Sequence, residues 1–414
     1  MKNFLPLLGL AISLAAQSPD QLLKDPELKA ALESIRSNNA WTMSQQVSIC
    51  EIAAPPFHEA ERGKEWARRM ASLGMVDIHT DSEGNVISKL PESGAAKPLI
   101  VFSAHLDTVF PEGMNVKVRE DGKRLHGLGI GDDCRGLAVV LAVGKALREA
   151  SVKFKGTILF VATVGEEGQG DLRGVRHLFT KELKDQIDAF ISVDGTGWRV
   201  TSRGVGSNRY KVYYRGRGGH SYGAFGMPNP AHAMGRAIAR IADIDVPQSP
   251  KTTFNVGTVT GGTSVNSIPI EVSMDLDIRS ESPRELATLD ERLRAALEYG
   301  LDAEKKRWPN SKAPLELEIK TIGLRPAADP GEDVPIIQKA LAAAKHLDIP
   351  ILATGAGSTD SNIPMSMGIP AVTIGGGGVS PNAHSADEWF EEREDSYKAP
   401  QWAALLLASL AGLQ

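Results

Sequence analysis

The chain has 414 residues, more than one ordinary domain holds, so two or three domains are expected. Hydrophobic residues make up 42% and charged residues 23%, which is typical of a globular protein and excludes a disordered or fibrous one. The net charge of −5 and the lack of a long basic run argue against nucleic acid as a partner.

The first residues have the pattern of a secretory signal. Lys2 forms the short positive region, Phe4 to Leu14 is the apolar region, and the small residues Ala15 and Ala16 follow. The apolar run is too short for a typical membrane span, and the alternative is a buried or frayed N-terminal helix. We predict a signal peptide over residues 1–16, an exported (periplasmic or secreted) protein, and no membrane contact beyond that segment.

The chain contains two cysteines, Cys50 and Cys134. Two cysteines make no disulfide framework, and a chain of this length can bury enough apolar surface without one. We therefore expect the fold to be stable without bridges.

The region from Pro98 to Asp194 alternates strands with helices. The predicted elements are strands at Leu99–Ser103, Thr157–Val164 and Ala189–Val193 and a helix at Leu137–Ala150. This alternation indicates an α/β domain with a mostly parallel sheet covered by helices on both faces, in three layers. Functional groups of such sheets gather at the carboxyl ends of the strands, where His105, Glu166 and Asp194 stand.

The pattern changes near Ser207, where the order becomes strand, helix, strand, strand, helix, strand. The predicted elements are Arg209–Arg215, a helix capped by Asn229, Thr252–Thr260, Val272–Ile278, a helix capped by Ser282, and Leu315–Ile322. This order indicates a ferredoxin-like α+β domain inserted into the larger one. The alternating pattern resumes near Arg325, so we predict a catalytic domain at 17–206 and 325–414, interrupted by the inserted domain at 207–324.

Three short motifs carry candidate chemistry. His105 and Asp107 lie two apart and face one side of an extended segment, so Asp107, or another near neighbour, can fix the ring of His105. Asp132 and Asp133 follow a glycine-rich turn and precede a helix, where they either serve a site or cap the helix.

The third motif, Glu166-Glu167, follows a buried strand. Adjacent buried carboxylates repel each other unless one binds a cation or keeps a proton, so one can bind metal while the other handles protons. A solvent-facing acidic loop is the alternative. Asp194 and a late His384 complete the pattern, and the order of the whole set is more specific than any member.

These motifs resemble the M20 family of co-catalytic zinc peptidases and amidohydrolases, and the peptidase-T-like branch most closely. The matching stretches are Ser103–Thr108, Gly131–Gly136, Gly165–Gly168, Ser192–Gly195, Gly218–Ser221, Gly261–Asn266 and Asn382–Ser385. One departure is that Cys134 and Arg135 follow the paired aspartates, where the family often has Lys. We place Cys134 beside the metals rather than among their ligands.

The resemblance implies two divalent metal ions, with Zn²⁺ favoured over Co²⁺ or Mn²⁺, and a role for each residue. Asp132 would bridge both ions, His105 and Asp194 would complete one site, and Glu167 and His384 the other. Glu166 would be the general base and Asp107 would orient His105. The donor set of imidazole and carboxylate suits zinc with positions open for water.

The resemblance also makes the inserted domain a lid or dimerisation domain, which would permit a homodimer. His220 would stabilise the tetrahedral oxyanion, either within the chain or across a dimer. Asn266 and Arg279 match positions that bind a substrate carboxylate, although Arg279 could instead balance Asp277 on the strand surface. The glycines Gly375–Gly378 would present backbone amides to the substrate or form a tight turn.

The implied substrate is a small peptide, cleaved by an aminopeptidase of the tripeptidase type. An N-acyl-amino-acid amidase or carboxypeptidase is the second reading. Gly219–Gly223 also satisfies the G-x-S-x-G pattern of serine hydrolases, with Ser221 as nucleophile, but no helix is predicted directly after it. A non-catalytic binding protein on the same fold is the last alternative, and the complete ligand set argues against it.

Overall fold

The computed structural model describes residues 18–351 and 354–414, so the predicted signal peptide lies outside the described residues. In the described part of the chain, no helix has the length and apolar character needed to span a membrane. The helices are α1 Pro19–Leu22, α2 Pro26–Ser37, α3 Asn39–Cys50, α4 Ala60–Ser72, α5 Cys134–Glu149, α6 Arg173–His177, α7 Pro230–Ala242, α8 Pro283–Arg307, α9 Pro335–His346, α10 Asn362–Ser366 and α11 Lys398–Ala411.

The strands form one large sheet and three smaller ones. They are β1 Val76–Thr80, β2 Val86–Lys89, β3 Ala96–His105, β4 Arg119–Asp121, β5 Arg124–His126, β6 Gly156–Thr163, β7 Ala189–Val193, β8 Val200–Gly204, β9 Gly206–Gly216, β10 Gly219–His220, β11 Thr252–Gly261, β12 Ser267–Ile268, β13 Glu271–Ser280, β14 Leu315–Arg325, β15 Thr354–Gly357, β16 Ala371–Ile374 and β17 Trp389–Glu391. A 3₁₀ turn at Gly168–Gly170 and a π-helical turn at Leu178–Glu182 flank α6.

The large sheet has eight strands in the order β1-β2-β6-β3-β7-β16-β8-β15. Its centre, from β6 to β16, is parallel, whereas β1, β2 and the junction between β16 and β8 pair antiparallel. The predicted mostly parallel sheet is therefore confirmed. Strands β1, β2, β8 and β15 were not predicted, because they lack the continuous apolar run that β7 has at a similar length, and β15 contains two glycines, which weaken a strand signal.

Both faces of the large sheet are covered, as β3 illustrates. Ile100, Phe102 and Ala104 pack into the core under α2, α5 and α11, while Val101 points into the core under α6 and α10. Alternate residues of a strand face opposite sides, so an unbroken apolar run is what a strand buried on both faces requires. The three-layer architecture is confirmed.

The inserted unit is a four-stranded antiparallel sheet in the order β11-β13-β9-β14 with α7 and α8 packed on it. The predicted ferredoxin-like order is confirmed, and Asn229 and Ser282 cap the two helices through their side chains. Its sheet begins at Gly206 and ends at Arg325, while the domain limits 17–206, 207–324 and 325–414 stay predictions.

The sequence analysis did not predict the bridge that the two cysteines form. Cys50, at the end of α3, and Cys134, the first residue of α5, form a disulfide with their Cα atoms 5.4 Å apart. Both residues are fully buried in the main core. The sequence could not show this, because 84 residues separate the cysteines and only the packing of α3 against α5 brings them together.

Candidate metal centre

Three parallel strands deliver polar side chains to one edge of the large sheet. His105 is the last residue of β3, Glu166 comes three residues after β6, and Asp194 directly follows β7. Because β6, β3 and β7 are parallel neighbours, their carboxyl ends meet, as predicted. Asp132 arrives instead from the turn before α5, and His384 from the loop between β16 and β17, where its φ is +69°.

Asp132 stands between the two histidines. Its Oδ1 lies 3.1 Å from Nε2 of His105, and its Oδ2 lies 3.3 Å from Nε2 of His384. The same nitrogen of His384 lies 3.0 Å from Oε1 of Glu167. The two oxygens of one carboxylate are thus directed to two different imidazoles.

Three sets of potential ligand atoms lie here, the atoms of each set within 4.8 Å of one another: one joins His105, Glu166 and Glu167, and the other two share Asp132. Those two are His105, Asp132 and Asp194, and Asp132, Glu167 and His384. This division coincides with the two metal sites that the sequence resemblance implied. A carboxylate common to two sets is the arrangement that a pair of bridged divalent ions requires.

The electrostatics of the cluster favour a cation. Burial opposes ionisation of Asp132, but hydrogen bonds from His105 and His384 outweigh it and lower the pKa of this carboxyl. Hydrogen bonds to Asp132 and Glu167 raise the pKa of His384 to about 10. Burial, with help from the charge of Asp132, raises the pKa of Asp194 to about 6. His384 and Asp194 therefore hold protons more tightly than usual, and divalent cations would compete with those protons for the same donor atoms.

The two aspartates of the Asp-Asp motif have different roles, so both sequence readings hold. Asp133 caps α5, because its Oδ1 accepts the N–H of Gly136 at 3.0 Å, and its Oδ2 accepts the N–H of His105 at 3.1 Å. Its neighbour Asp132 faces the cluster. The cap thereby fixes the turn that presents Asp132.

Asp107 holds His105 differently from the expected carboxylate contact. Nδ1 of His105 donates to the main-chain oxygen of Asp107 at 3.0 Å, whereas the nearer carboxylate oxygen is 3.6 Å away. The carboxylate accepts the main-chain N–H groups of Glu166 and Glu167 at 3.0 and 2.8 Å. Asp107 thus leaves Nε2 of His105 for the cluster and also fixes the backbone of both glutamates.

Glu166 is buried beside the cluster and contacts Arg325. Nη1 of Arg325 donates to Oε1 of Glu166 at 3.2 Å, and Nη2 donates to its main-chain oxygen. Burial raises the pKa of Glu166 well above its usual range, the charge of Arg325 opposes this, and Glu167 adds to it. A carboxyl held between these influences is suited to proton transfer.

The sequence reasoning missed Arg325, Glu388 and Asp360. Glu388 accepts the N–H of Gly131 at 2.8 Å and that of Gly129 at 3.1 Å, so it anchors the turn before Asp132. Asp360 is buried behind the cluster and accepts the hydroxyl of Thr163. The acidic pair Asp387-Glu388 beside His384 was the only sequence signal for any of them.

A cleft of about 560 Å³ opens over the cluster. Asp132, Glu166, Glu167, Asp194 and His384 all line it. Four arginines also line it: Arg325, which contacts Glu166, and Arg199, Arg209 and Arg279, which we call the basic wall. The cleft therefore combines a cluster of carboxylates that favours cations with a basic wall.

Comparison with known proteins agrees with this geometry. Residues 101–408 match the model of peptidase family M20/M25/M40.

The chain belongs to this family.

Among its sequence relatives, the protein YqjE of Bacillus subtilis is 28% identical over 81% of this chain and 90% of the relative. Carboxypeptidase G2 of a Pseudomonas species is 29% identical over 71% of this chain and 68% of the relative.

Two solved structures show the same fold. Aminopeptidase PepT of Bacillus cereus has a TM-score of 0.71 at 21% identity and covers 89% of this chain and 98% of its own. The Bacillus subtilis YXEP protein, a dinuclear metal-binding peptidase of the M20 family, has a TM-score of 0.65 at 17% identity. The match covers 92% of this chain and 99% of that protein. The chain is thus an M20-family hydrolase whose own residues form two potential metal-ligand sets that share Asp132.

The structure does not bring every expected residue to the cleft of this M20 chain. His220 and Asn266 are exposed in the inserted unit, and among the residues that the structure describes the cleft lining includes neither. Nδ1 of His220 accepts the N–H groups of Tyr222 and Gly223. The roles expected of His220 and Asn266, within the chain or across a dimer, stay predictions. Arg279 lines the cleft and also pairs with Asp277 at 2.7 Å, and its role in substrate binding stays a prediction.

The structure also bears on two alternatives that the sequence left open. Ser221 lies in a run of turns after the two-residue strand β10, and α7 begins only at Pro230, so the strand–turn–helix context of a serine nucleophile does not form. The amides of Gly375, Gly376 and Gly377 donate to main-chain oxygens of 199, 195 and 197, so they are paired within the chain. Cys134 is bonded to Cys50, and buried Arg135 donates to the main-chain oxygen of Gly376.

Proposed function

We propose that this M20 hydrolase is a two-metal exopeptidase of small peptides, an aminopeptidase of the tripeptidase type. The observation that carries the proposal is Asp132, whose two oxygens face His105 and His384 in two separate donor sets. Imidazole and carboxylate donors fit Zn²⁺ best, and Co²⁺ or Mn²⁺ would also fit. When bound, such ions would supply Lewis acidity toward the scissile carbonyl and lower the pKa of water.

The chain's own residues supply proton transfer and orientation. Glu166 stands at the wall of the cleft but outside both sets that share Asp132, so its carboxylate is the group to take a proton from the attacking water. Its position is held from two sides, by Asp107 through the backbone and by Arg325 through the side chain. Such a held base keeps its geometry when substrate enters.

The basic wall supports a substrate with a free carboxylate. Arg199, Arg209 and Arg279 present guanidinium groups to a cleft of about 560 Å³, a volume in the range that binds small ligands. A tripeptide carries that carboxylate at its C-terminus. An N-acyl amino acid carries it beside the scissile amide, and the likeness to carboxypeptidase G2 favours an amidase or carboxypeptidase as the second candidate.

A homodimer belongs to the same proposal. His220 and Asn266 lie on the exposed surface of the inserted unit, near the edge strand β11, with Val259, Val265 and Ile270 exposed around them. A second copy joined through this surface would bring its His220 toward the cleft, where an imidazole can stabilise an oxyanion. Sedimentation analysis and the kinetics of His220→Ala would test this part separately.

We also propose export. The predicted signal over residues 1–16 supports it, and so does the disulfide, because disulfides persist mainly in oxidising compartments. Fractionation of the native host with an antibody to the protein would test it.

One panel of substrates tests the activity. The zinc-loaded protein, a chelator-stripped sample and a sample reloaded with Zn²⁺ are given free tripeptides, N-blocked tripeptides and N-acetyl amino acids. Metal-dependent cleavage of only the free-amine peptides supports the aminopeptidase. Cleavage of the blocked substrates would move the assignment to the second candidate, and activity that survives complete metal removal would refute the two-metal mechanism.

A further inference from the structure

A second cluster of potential ligands lies outside the cleft. Asp81, His177 and Glu182 bring ligand atoms within 4.8 Å of one another, and none of the three lines the cleft described above. Asp81 follows the edge strand β1, His177 ends α6, and Glu182 ends the π-helical turn. π-helical turns are rare and occur frequently at functional sites, so this one draws attention to the residues that it positions.

The carboxylate of Asp81 is held in one orientation. Its Oδ1 accepts the main-chain N–H groups of Glu83, Gly84 and Asn85, at 2.8 to 3.0 Å. Its Oδ2 accepts the side-chain amide of Asn85 at 2.7 Å and lies 4.0 Å from Nε2 of His177. The Asp81 side chain is fully buried, and Oδ2 keeps acceptor capacity on the side of the histidine.

His79 lies beside this set, and its ring is oriented by two contacts. Its Nδ1 lies 3.0 Å from the main-chain oxygen of Asp77, and its Nε2 lies 3.2 Å from Oε1 of Glu182. A carbonyl oxygen only accepts, so the proton of a neutral ring is on Nδ1. The lone pair of Nε2 then faces a carboxylate oxygen, an arrangement that requires a cation between them or on the ring.

A metal ion would give a partner to more of the donor atoms in this cluster than a single proton does. A proton on His79 neutralises one carboxylate, Glu182, and leaves Nε2 of His177 with Ser82 Oγ at 3.2 Å and the charge of Asp81. One imidazole and two carboxylates lie within 4.8 Å of one another, and His79 adds a second imidazole beside Glu182, so the donor types are those that zinc sites use.

We propose that Asp81, His177 and Glu182, with His79 beside Glu182, form a non-catalytic site for one divalent transition-metal ion of the zinc class. It is independent of the proposed peptidase function.

The position of the site gives it a structural role. The chain runs from Glu167 through the 3₁₀ turn, then through Asp171 and Leu172, both with positive φ, into α6 and the π-helical turn. An ion bound here would fasten the far end of this segment to β1. It would thereby stabilise the element that begins at the catalytic glutamates.

The stoichiometry of Zn²⁺ tests the proposal. Full-length protein is dialysed against buffered micromolar free Zn²⁺, and bound zinc is measured by plasma mass spectrometry for wild type, His177→Ala and Glu182→Gln. The matched control is His346→Ala, a partly exposed histidine that pairs with Asp20 at 3.2 Å, remote in sequence from the cluster. Wild type and control are expected to bind one more zinc per chain than either cluster variant. Equal zinc in all four proteins would overturn the site.

Two further measurements keep the result interpretable. Added Zn²⁺ is expected to raise the melting temperature of wild type by more than that of Glu182→Gln, because ligand binding to the native state stabilises it. Glu182 is partly exposed and its amide replacement is isosteric, so this variant serves if His177→Ala fails to fold. An extra zinc that appears in wild type only at millimolar concentration would also overturn the proposal.

Discussion

Arg325, the last residue of β14, donates hydrogen bonds to both the carboxylate and the main-chain oxygen of Glu166. The arginine belongs to the sheet of the inserted unit, whereas Glu166 follows a strand of the large sheet. The inserted unit therefore contributes directly to the position and charge of the candidate base. An identical catalytic domain without it would leave Glu166 more strongly protonated.

Replacing Glu166 with Gln is expected to lower kcat by on the order of 10²–10⁴-fold, the usual contribution of a general base. Zinc content should be unchanged if the two sets that share Asp132 hold the ions, because Glu166 belongs only to a third set, with His105 and Glu167. Steady-state kinetics and metal analysis of the same preparation check both statements. Glu61→Gln, at an exposed ion pair with Lys64, is the control. Substantial residual turnover, or loss of metal, would contradict the assigned role.

Replacing Arg325 with Met is expected to move the acidic limb of the kcat/KM profile to higher pH. The charge of Arg325 lowers the pKa of Glu166, so its removal raises that pKa, and the base then ionises only at higher pH. Both side chains are 6% exposed, and removing one partner of such a pair costs about 3–5 kcal/mol, so folding is checked by thermal unfolding. Arg325→Lys keeps the charge and should keep the limb near its wild-type position. If the acidic limb of Arg325→Met stays at its wild-type pH, Arg325 does not lower the pKa of Glu166.

Breaking the disulfide is expected to destabilise the fold by about 2–4 kcal/mol, since Cys50 and Cys134 close a long loop of the chain. Calorimetry with and without reductant measures the change, and a thiol reagent counts free cysteines in the native and reduced protein. The Cys50→Ala/Cys134→Ala double variant should melt at a lower temperature than oxidised wild type, and its melting temperature should not change when reductant is added. Native wild type with two titratable thiols would show that the bridge does not form.

Replacing Asp360 with Asn is expected to change how stability depends on pH in the metal-free protein. Burial raises the pKa of Asp360 to about 7. The folded state therefore keeps its proton between about pH 4 and 7 while the unfolded state loses it. The stability of wild type accordingly falls through this window by up to about 1.4 kcal/mol per pH unit from this group alone, and levels off above it.

The side-chain amide of the Asp360→Asn variant cannot ionise, so the difference in unfolding free energy between the two proteins should grow in favour of the variant from about pH 5 to 7. Denaturant unfolding at several pH values measures it. Asp121→Asn, at an exposed carboxyl, is the control and should show little such trend. A difference that is constant with pH would mean that Asp360 ionises in the fold as it does in the unfolded chain.

The sequence by itself determined the local elements and which side chains stand at strand ends. The apolar runs in β3, β6 and β7 must be buried on both faces, and such strands lie parallel under helices, so His105, Glu166 and Asp194 had to meet at one edge. Asn229 and Ser282 marked helix starts because a cap acts within three residues. These inferences rest on short-range geometry.

The tertiary structure alone decided how loops and distant segments complete the site. Arg325 reaches Glu166 across 159 residues and Glu388 reaches Gly131 across 257, and no periodicity connects such positions. The sequence left open whether Asp132 or Asp133 caps α5, since either is close enough, and the backbone of the turn assigned one to each task. Pairing of Cys50 with Cys134 likewise depends on α3 packing against α5, because contacts between distant segments arise only when the whole core is packed.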